Sequence, residues 1–399
     1  MKLLRFILTL CLWAVYMLSS GGDINIIIPP KETELNDVKN TAIDDVVKQA
    51  FAMQKENKNS EALNVINSAI NQAEGQHKGK LKNKLGYLKY YMKDIEGAEK
   101  EWKDVAFQNV PSSEKDICDS KLRLAYIKYR NGKYETALED FKDIATGAVK
   151  ADYYTAKDAS LRVAFLYRKS KDLKQSLSVF RQIMTKVTDI NDVAYAKIQV
   201  AGTLWELGKG DEGILTTDEE KTQAFLESRQ LCKELMDQKD ITDLTCVEGS
   251  YIRAIAELIN IETFWFLKDY EQTICLAENF IPKWSQVLSN FQEYNFKNSE
   301  RPIRRQILTA QTWLLMAYYR VGRYQDCIEM CKKVNSPFWN EGDPYKNFNV
   351  FGYAYLYEAK SNETLGRKDV GQQIRKIIET KYPKWYNLTA AYEELKYLE

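Results

Sequence analysis

The chain has 399 residues, 45% of them hydrophobic and 28% charged, with 57 Lys and Arg against 56 Asp and Glu and a single His. That is a globular composition, which excludes a wholly disordered chain, and eight Pro exclude a collagen-like or Pro-rich filament. A net charge of +1 gives no reason to expect a nucleic acid partner, because phosphate binding needs a clustered basic surface.

Lys2 and Arg5 precede an apolar run, Phe6 to Leu18, that is followed by Ser19, Ser20, Gly21 and Gly22. A basic start, a short apolar stretch and a small-residue exit are the features of a secretory signal peptide, here residues 1–22. The run is shorter than the ~20 residues that a bilayer-spanning helix needs, so cleavage and export are expected rather than anchoring. Cys11 lies inside the run, but Leu10 stands where a lipoprotein processing site carries a small residue. No later stretch is apolar enough to span a membrane. The expectation is therefore an exported chain, periplasmic or extracellular, without an integral transmembrane segment once mature and at most peripherally attached.

Residues 23–37, with Pro29 and Pro30, read as an extended leader. From residue 38 onward apolar residues recur at helical spacing, and turn signals divide the pattern into helix hairpins near 38–75, 78–108, 115–148, 152–188 and 191–237. The fifth is interrupted by a loop over 208–220, in which Thr217 followed by Glu220 suits an N-terminal cap with its reciprocal bond. A sixth hairpin covers about 245–281. Pro282 and Pro302 bracket a region read as an extra helix and a loop, and a seventh hairpin occupies 303–335. The loop at 335–349 interrupts the array, an eighth hairpin runs to about 381, and a closing helix extends to 398. On this reading 38–237 form an N-terminal array and 238–399 a C-terminal array with aromatic loop insertions.

The hairpins are related to one another. In residues 122–144, Leu124 and Ala125 lie on a first helix, Gly132 in a turn, and Tyr134, Ala137 and Phe141 on a second helix. The same order returns at 314–334 with Gly322, Tyr324, Cys327 and Cys331, more loosely at 159–183 with Ala164, Tyr167, Leu173, Ser176 and Phe180, and at 259–281 with Phe264, Tyr270 and Thr273. Ala62, Ala98, Ala137 and Ser176 are spaced by 36, 39 and 39 residues. Small residues let two helices approach to the short end of the usual ~8–10 Å separation, and the larger ones fill the space between hairpins, so each repeat needs a neighbour.

These units resemble the tetratricopeptide repeat family, whose period is about 34 residues. The resemblance implies an all-α, right-handed superhelical solenoid of about eight antiparallel hairpins, with the first helices lining a concave face on which a peptide, a helix or another subunit could lie. Exported proteins of this kind imply scaffolding work in complex assembly at the cell envelope.

Residues that might carry chemistry have simpler explanations. His77, the lone His, falls in a polar turn, which excludes a His-based triad with several partners and a His-rich zinc site. Outside the signal segment there are six Cys; Cys327 and Cys331 are four apart on one helix but occupy packing positions, and buried thiols explain the set as well as disulfides do. Adjacent carboxylates such as Glu219 and Glu220 point in different directions on a helix. The segment 208–213 lacks the spacing and the Lys-Ser/Thr of a phosphate loop. The expectation is a non-catalytic chain without cofactor or metal that binds protein partners through Asn260, Phe264, Tyr318, Tyr319 and Tyr357 on the first helices. Trp339 and Tyr345, in the aromatic loop 335–349, suggest the alternative of a small-ligand or glycan-binding protein.

Overall fold

A computed structural model describes residues 24–29, 41–210, 214–215, 217–238, 247–293, 297–335 and 349–381. The described residues form sixteen helices and no strand. In chain order these are α1 (Thr41–Lys55), α2 (Asn59–Gln72), α3 (Gln76–Tyr91), α4 (Ile95–Ala106), α5 (Glu114–Arg130), α6 (Tyr134–Ala145), α7 (Tyr153–Lys169) and α8 (Leu173–Lys186). They continue with α9 (Ile190–Lys209), α10 (Asp218–Asp237), α11 (Val247–Phe266), α12 (Tyr270–Glu293), α13 (Lys297–Arg320), α14 (Tyr324–Val334), α15 (Asn349–Thr364) and α16 (Lys368–Lys381). Consecutive helices pair as eight antiparallel hairpins, a tetratricopeptide-like all-α architecture. The chain divides into two compact units, Met1–Ala196 and Lys197–Glu399.

Seven of the hairpins share one turn. Asn57, Lys93, Gly132, Lys171, Lys268, Gly322 and Gly366 each close a first helix in the left-handed conformation, with φ between 61° and 82°. At Gly132 the amide donates to the Tyr129 carbonyl at 3.1 Å and the following Lys133 amide to the Lys128 carbonyl at 3.0 Å. This pair of bonds satisfies carbonyls that the ending helix would leave without partners, and it recurs at all seven positions. Asp94, Asp172 and Asp269 then start the next helix by accepting from the amides of Gly97, Gln175 and Gln272 at 2.9, 3.2 and 3.1 Å.

Five residues beyond the left-handed residue, the second helix always places a small or short buried side chain: Ala62, Ala98, Ala137, Ser176, Thr273, Cys327 or Gly371. The first helices answer with Gly86, Ala125 and Ala164. At Gly86 the approach is closest, since a Cβ there would lie 2.6 Å from the indole nitrogen of Trp102, which itself donates to the Asn83 carbonyl at 3.2 Å.

In the first unit, Ile66, Ile70, Leu81, Leu85 and Leu88 form one part of the core, and Trp102 packs with Ala98 and Ile127 in another. In the second unit one core cluster runs from α11 to α15 and includes Phe280, Trp284, Leu314, Cys327 and Tyr357. The fifth hairpin is antiparallel along Lys197–Glu234 at 2.9 Å, Ser228 to the Ala201 carbonyl at 2.7 Å, and Gly208 against Phe225. Its second helix starts with the expected box, Thr217 Oγ1 accepting from the Glu220 amide at 3.1 Å and Glu220 accepting from the Thr217 amide at 3.2 Å.

Other expectations change. Pro282 does not end a helix: α12 runs through it to Glu293, and α13 resumes at Lys297 and contains Pro302. A proline removes one backbone bond, and here packing outweighs the loss. Trp284 is fully buried with its indole donating to Glu257 at 2.9 Å, Lys283 pairs with Glu257 at 2.5 Å, and Leu288 is buried. His77 lies in the first turn of α3, exposed, rather than in the preceding turn. The Cys118, Cys232, Cys327 and Cys331 thiols are free and buried and Cys275 is free and exposed, while Cys246 and the closing helix to 398 lie outside the described residues.

The shared turn can be tested by exchange. A Cβ on Gly132 would meet nothing within 4 Å, so Gly132→Lys imposes backbone strain alone and should lower stability by about 1 kcal/mol. Lys93→Gly removes the same strain from an exposed position and should raise stability by about 0.5 kcal/mol, less because glycine also frees the unfolded chain. Urea unfolding of both variants measures this; a loss in both would mean that side-chain contacts, not the dihedral, govern the turn.

Candidate functional site

The first helices α3, α5, α7 and α9 of the first unit are joined by a polar ladder. Tyr87 on α3 donates its hydroxyl to Asp119 on α5 at 2.9 Å. Arg123, one turn beyond Asp119, donates to the same carboxylate at 3.2 Å and lays its guanidinium over the Tyr87 ring at 5.0 Å. Buried Asn83 completes the rung by donating to Asp119 at 3.0 Å while accepting from Ser120 at 3.3 Å.

The next rung repeats it. Tyr126 on α5 donates to Asp158 on α7 at 2.7 Å, and Arg162, again one turn on, donates to the Tyr126 oxygen at 2.6 Å with its guanidinium 5.1 Å from the ring. A third rung changes the source of the cation: Tyr153 on α7 donates to Asp192 on α9 at 2.8 Å, and Lys157 of α7 pairs with Asp192 at 2.6 Å.

A second tier runs beside the first. Arg130 lies 5.0 Å over Tyr90, and Lys169 lies 5.6 Å over Tyr129 and 3.6 Å over Tyr134. Tyr87 and Tyr126, Tyr90 and Tyr129, Asp119 and Asp158, Arg123 and Arg162, and Arg130 and Lys169 are each separated by the 39 residues that separate Ala98 from Ala137. One helix register thus places a ring on hairpin n under a cation of hairpin n+1.

The rungs hold fixed protonation states. Burial and the neighbouring carboxylates raise the pKa of Tyr87 and of Tyr126 above the ordinary phenol value, so both remain donors. Burial works against the Arg123 cation, but Tyr87 and Asp119 outweigh it and hold the guanidinium charged. Hydrogen bonds to charged groups contribute about 1.5–3 kcal/mol each, and a cation over an exposed ring about 0.5–1 kcal/mol, so the ladder supplements apolar packing between repeats. Outward, it presents half-buried rings and guanidinium groups with exposed Arg130 and Lys169 at one edge.

The second unit has an aromatic cluster instead. Phe225 of α10 and Phe266 of α11 stack at 5.5 Å, and Trp205 of α9, Trp265 of α11 and Trp313 of α13 surround them with ring separations of 5.3–5.9 Å. Beneath them lies Glu262, which accepts from the Trp313 indole at 2.8 Å. Burial pushes its carboxyl up to about 7, against smaller opposing effects of the Trp313 bond and the Lys209 charge.

The residues singled out from sequence are not assembled into one site. Phe264 is buried under the Arg229 guanidinium, 4.3 Å away. Tyr318 is buried and donates to Glu278 at 2.5 Å, and Tyr357 is buried with a hydroxyl that makes no hydrogen bond. Tyr319 is half-buried between Tyr324 at 5.4 Å and Tyr357 at 5.2 Å. Asn260 is half-buried with its side-chain oxygen unpartnered. Trp339 and Tyr345 lie outside the described residues. The ladder residues were missed, although their recurrence at 39 residues was available in the sequence. Among the described residues no group of three or more His, Cys, Asp or Glu is placed to hold a metal ion, and no helix is long and apolar enough to cross a membrane.

No protein-family model matches the sequence, and no curated protein matches it. Among solved structures, the chain is similar to a Rap protein complexed with competence and sporulation factor, at 11% identity over 87% of this chain and 99% of that one, with a TM-score of 0.37. It is also similar to the TPR domain of P58(IPK), at 10% identity over 89% and 99% of the two chains with a TM-score of 0.25. A circular tandem repeat protein with a novel repeat topology matches at 10% identity over 89% and 86%, with a TM-score of 0.21.

Glu262 makes the second unit pH-sensitive. Its folded value near 7 lies above the ordinary 4.5, so between these values the folded state keeps a proton that the unfolded state has lost. Its contribution to stability is therefore fully present below about pH 4.5 and is lost as pH rises through about 7, an amount on the order of 3 kcal/mol. Glu262→Gln keeps an oxygen for Trp313 and removes the charge. Its denaturation midpoint should match the parent's near pH 5 and exceed it at pH 8; the same difference at both pH values would exclude this titration.

Proposed function

We propose that this chain is a non-catalytic protein-interaction scaffold, exported from the cell and acting in complex assembly at its envelope, and that its partner lies along the first helices of the first unit. The observation that supports the reading is the ladder, which places rings and cations on one row of helices at a fixed repeat. Rings flanked by guanidinium groups are the residue types that anchor protein interfaces. Each repeated rung pairs one carboxylate with one guanidinium and is neutral in sum, so the exposed Arg130 and Lys169 supply the positive charge toward a partner. A partner segment with carboxylates and backbone carbonyls complements it. Export rests on the signal-like run Phe6 to Leu18, and the envelope setting on that same run.

Of the residues first named for binding, Asn260 and Tyr319 keep part of their surface, and we retain them as secondary contacts on the second unit.

A photo-crosslinking residue placed at Tyr129, in cells of the source organism, should give a discrete adduct. The same residue at Phe107, exposed at the end of α4, should not. Arg130→Glu combined with Lys169→Glu should weaken partner capture by about tenfold or more, while loss of the two cation–ring contacts lowers stability by only about 1–2 kcal/mol and leaves the chain folded at the capture temperature. Equal adducts at 129 and 107, or capture indifferent to the double reversal, would reject this face as the interface.

A further inference from the structure

The leader contains a docked peptide. Residues 24–29 are non-helical and alternate in burial: Ile26 is 0% exposed, Ile27 50% and Ile28 9%. This is the two-residue period of an extended chain. The segment lies against the C-terminal ends of α6 and α8, more than a hundred residues away in sequence.

Its backbone is held as a neighbouring strand would hold it. The side-chain amide of Gln182 on α8 donates to the Ile24 carbonyl at 2.6 Å and accepts from the Ile26 amide at 3.0 Å, so one side chain bridges two alternate peptide groups. The Ile27 amide donates to the Ala145 carbonyl at the end of α6, at 2.6 Å. Lys186 donates to the Ile26 carbonyl and, at 3.1 Å, to the Asn25 side chain. Gly147 keeps the path open, because a Cβ there would stand 3.0 Å from the Ile27 side chain, and its φ of +80° already favours glycine.

These contacts read backbone and alternate branched side chains, which is how a groove recognises an extended ligand, and none requires that the ligand be joined to α1. We propose that the seam between the ends of α6 and α8 is a second peptide-binding site. Its ligand is an extended partner segment with branched aliphatic residues at alternate positions, and the chain's own Ile24–Pro29 occupies the site as an intramolecular competitor. The site is separate from the ladder, so neither reading depends on the other. An attached competitor acts at a high effective concentration, so a partner segment enters only when the arm is released.

The test uses a labelled peptide of residues 23–30 and the otherwise full-length chain carrying Ile26→Asp, which weakens the arm by placing a charge where a fully buried side chain sits. Fluorescence anisotropy should show saturable binding to this chain and binding weaker by about tenfold or more to the parent. A peptide carrying Ile26→Asp should not bind, and adding Gln182→Ala to the receiving chain should weaken binding. Absence of saturable binding to a folded Ile26→Asp chain, or equal binding to the parent, would overturn the proposal. If Ile26→Asp does not fold, hydrogen exchange of the unmodified chain decides. Ile26 and Ile27 amides that exchange well before those of α8 show an arm that leaves by local opening, whereas exchange only together with α8 makes it an inseparable part of the core.

Discussion

The left-handed residue that closes each first helix is the constraint on which the other features depend. It reverses the chain within three residues and, with its own amide and the following one donating to carbonyls at the helix end, fixes where the next helix begins. The small residue five positions later then falls opposite the first helix in every hairpin that has the turn. Had the turn varied in length, Ala98 and Ala137 would not share a register, and neither would Tyr87 and Tyr126. The ladder follows from the turn. Where the interval between turns stays at 39 residues, the same ring and cation meet again one hairpin on; between Lys268, Gly322 and Gly366 the interval changes, and that register is not kept.

The two units thus solve one problem with different chemistry. Hairpins with equal spacing can repeat a specific polar contact, because each copy presents donor and acceptor at the same height. Hairpins whose helices reach 24 residues, as α12 and α13 do, need contacts that tolerate mismatch, and Trp and Phe faces supply them. The cost of that solution is Glu262. The carboxyl has an indole donor and the Lys209 charge to favour its ionised form, but burial outweighs both and makes proton loss unfavourable there.

The sequence showed most of the fold because the signals were local. Gly132 and Gly322 mark turns through backbone freedom, Ala62, Ala98 and Ala137 mark close approach, and Thr217 with Glu220 marks a helix start. It misled where a distant partner overrode a local preference. Lys93, Lys171 and Lys268 sit where glycine is favoured, tolerated because the surrounding bonds determine the turn, and they blur three repeats. Pro282 looked like a boundary, but Trp284 and Leu288 two and six residues later are buried and carry the helix on. The leader was legible as extended, yet its partners Gln182 and Lys186 lie about 160 positions away, and nothing in residues 24–29 names them. Aromatic residues drew the search for a site, and the structure shows why that signal is weak in a repeat: Tyr318 and Tyr357 are buried, while Tyr87 and Tyr126 are half-buried and meet an acid and an arginine of the next hairpin.

A face whose charges are already paired within the chain can still bind well, and the ladder shows how. A free arginine loses side-chain freedom when a partner engages it, which opposes association by about 0.5–1.5 kcal/mol per side chain. Arg123 has lost that freedom on folding, since Asp119 and the Tyr87 ring already hold it. A guanidinium has five N–H groups, and its bonds to Asp119 engage the ε nitrogen and one terminal nitrogen. The internal pairing therefore orients the cation without using all of its donors. Because the same arrangement recurs at Arg162, a partner that fits one rung meets the next at a fixed distance, and an extended or helical segment with its own regular spacing of carboxylates gains both contacts for a single loss of orientational freedom.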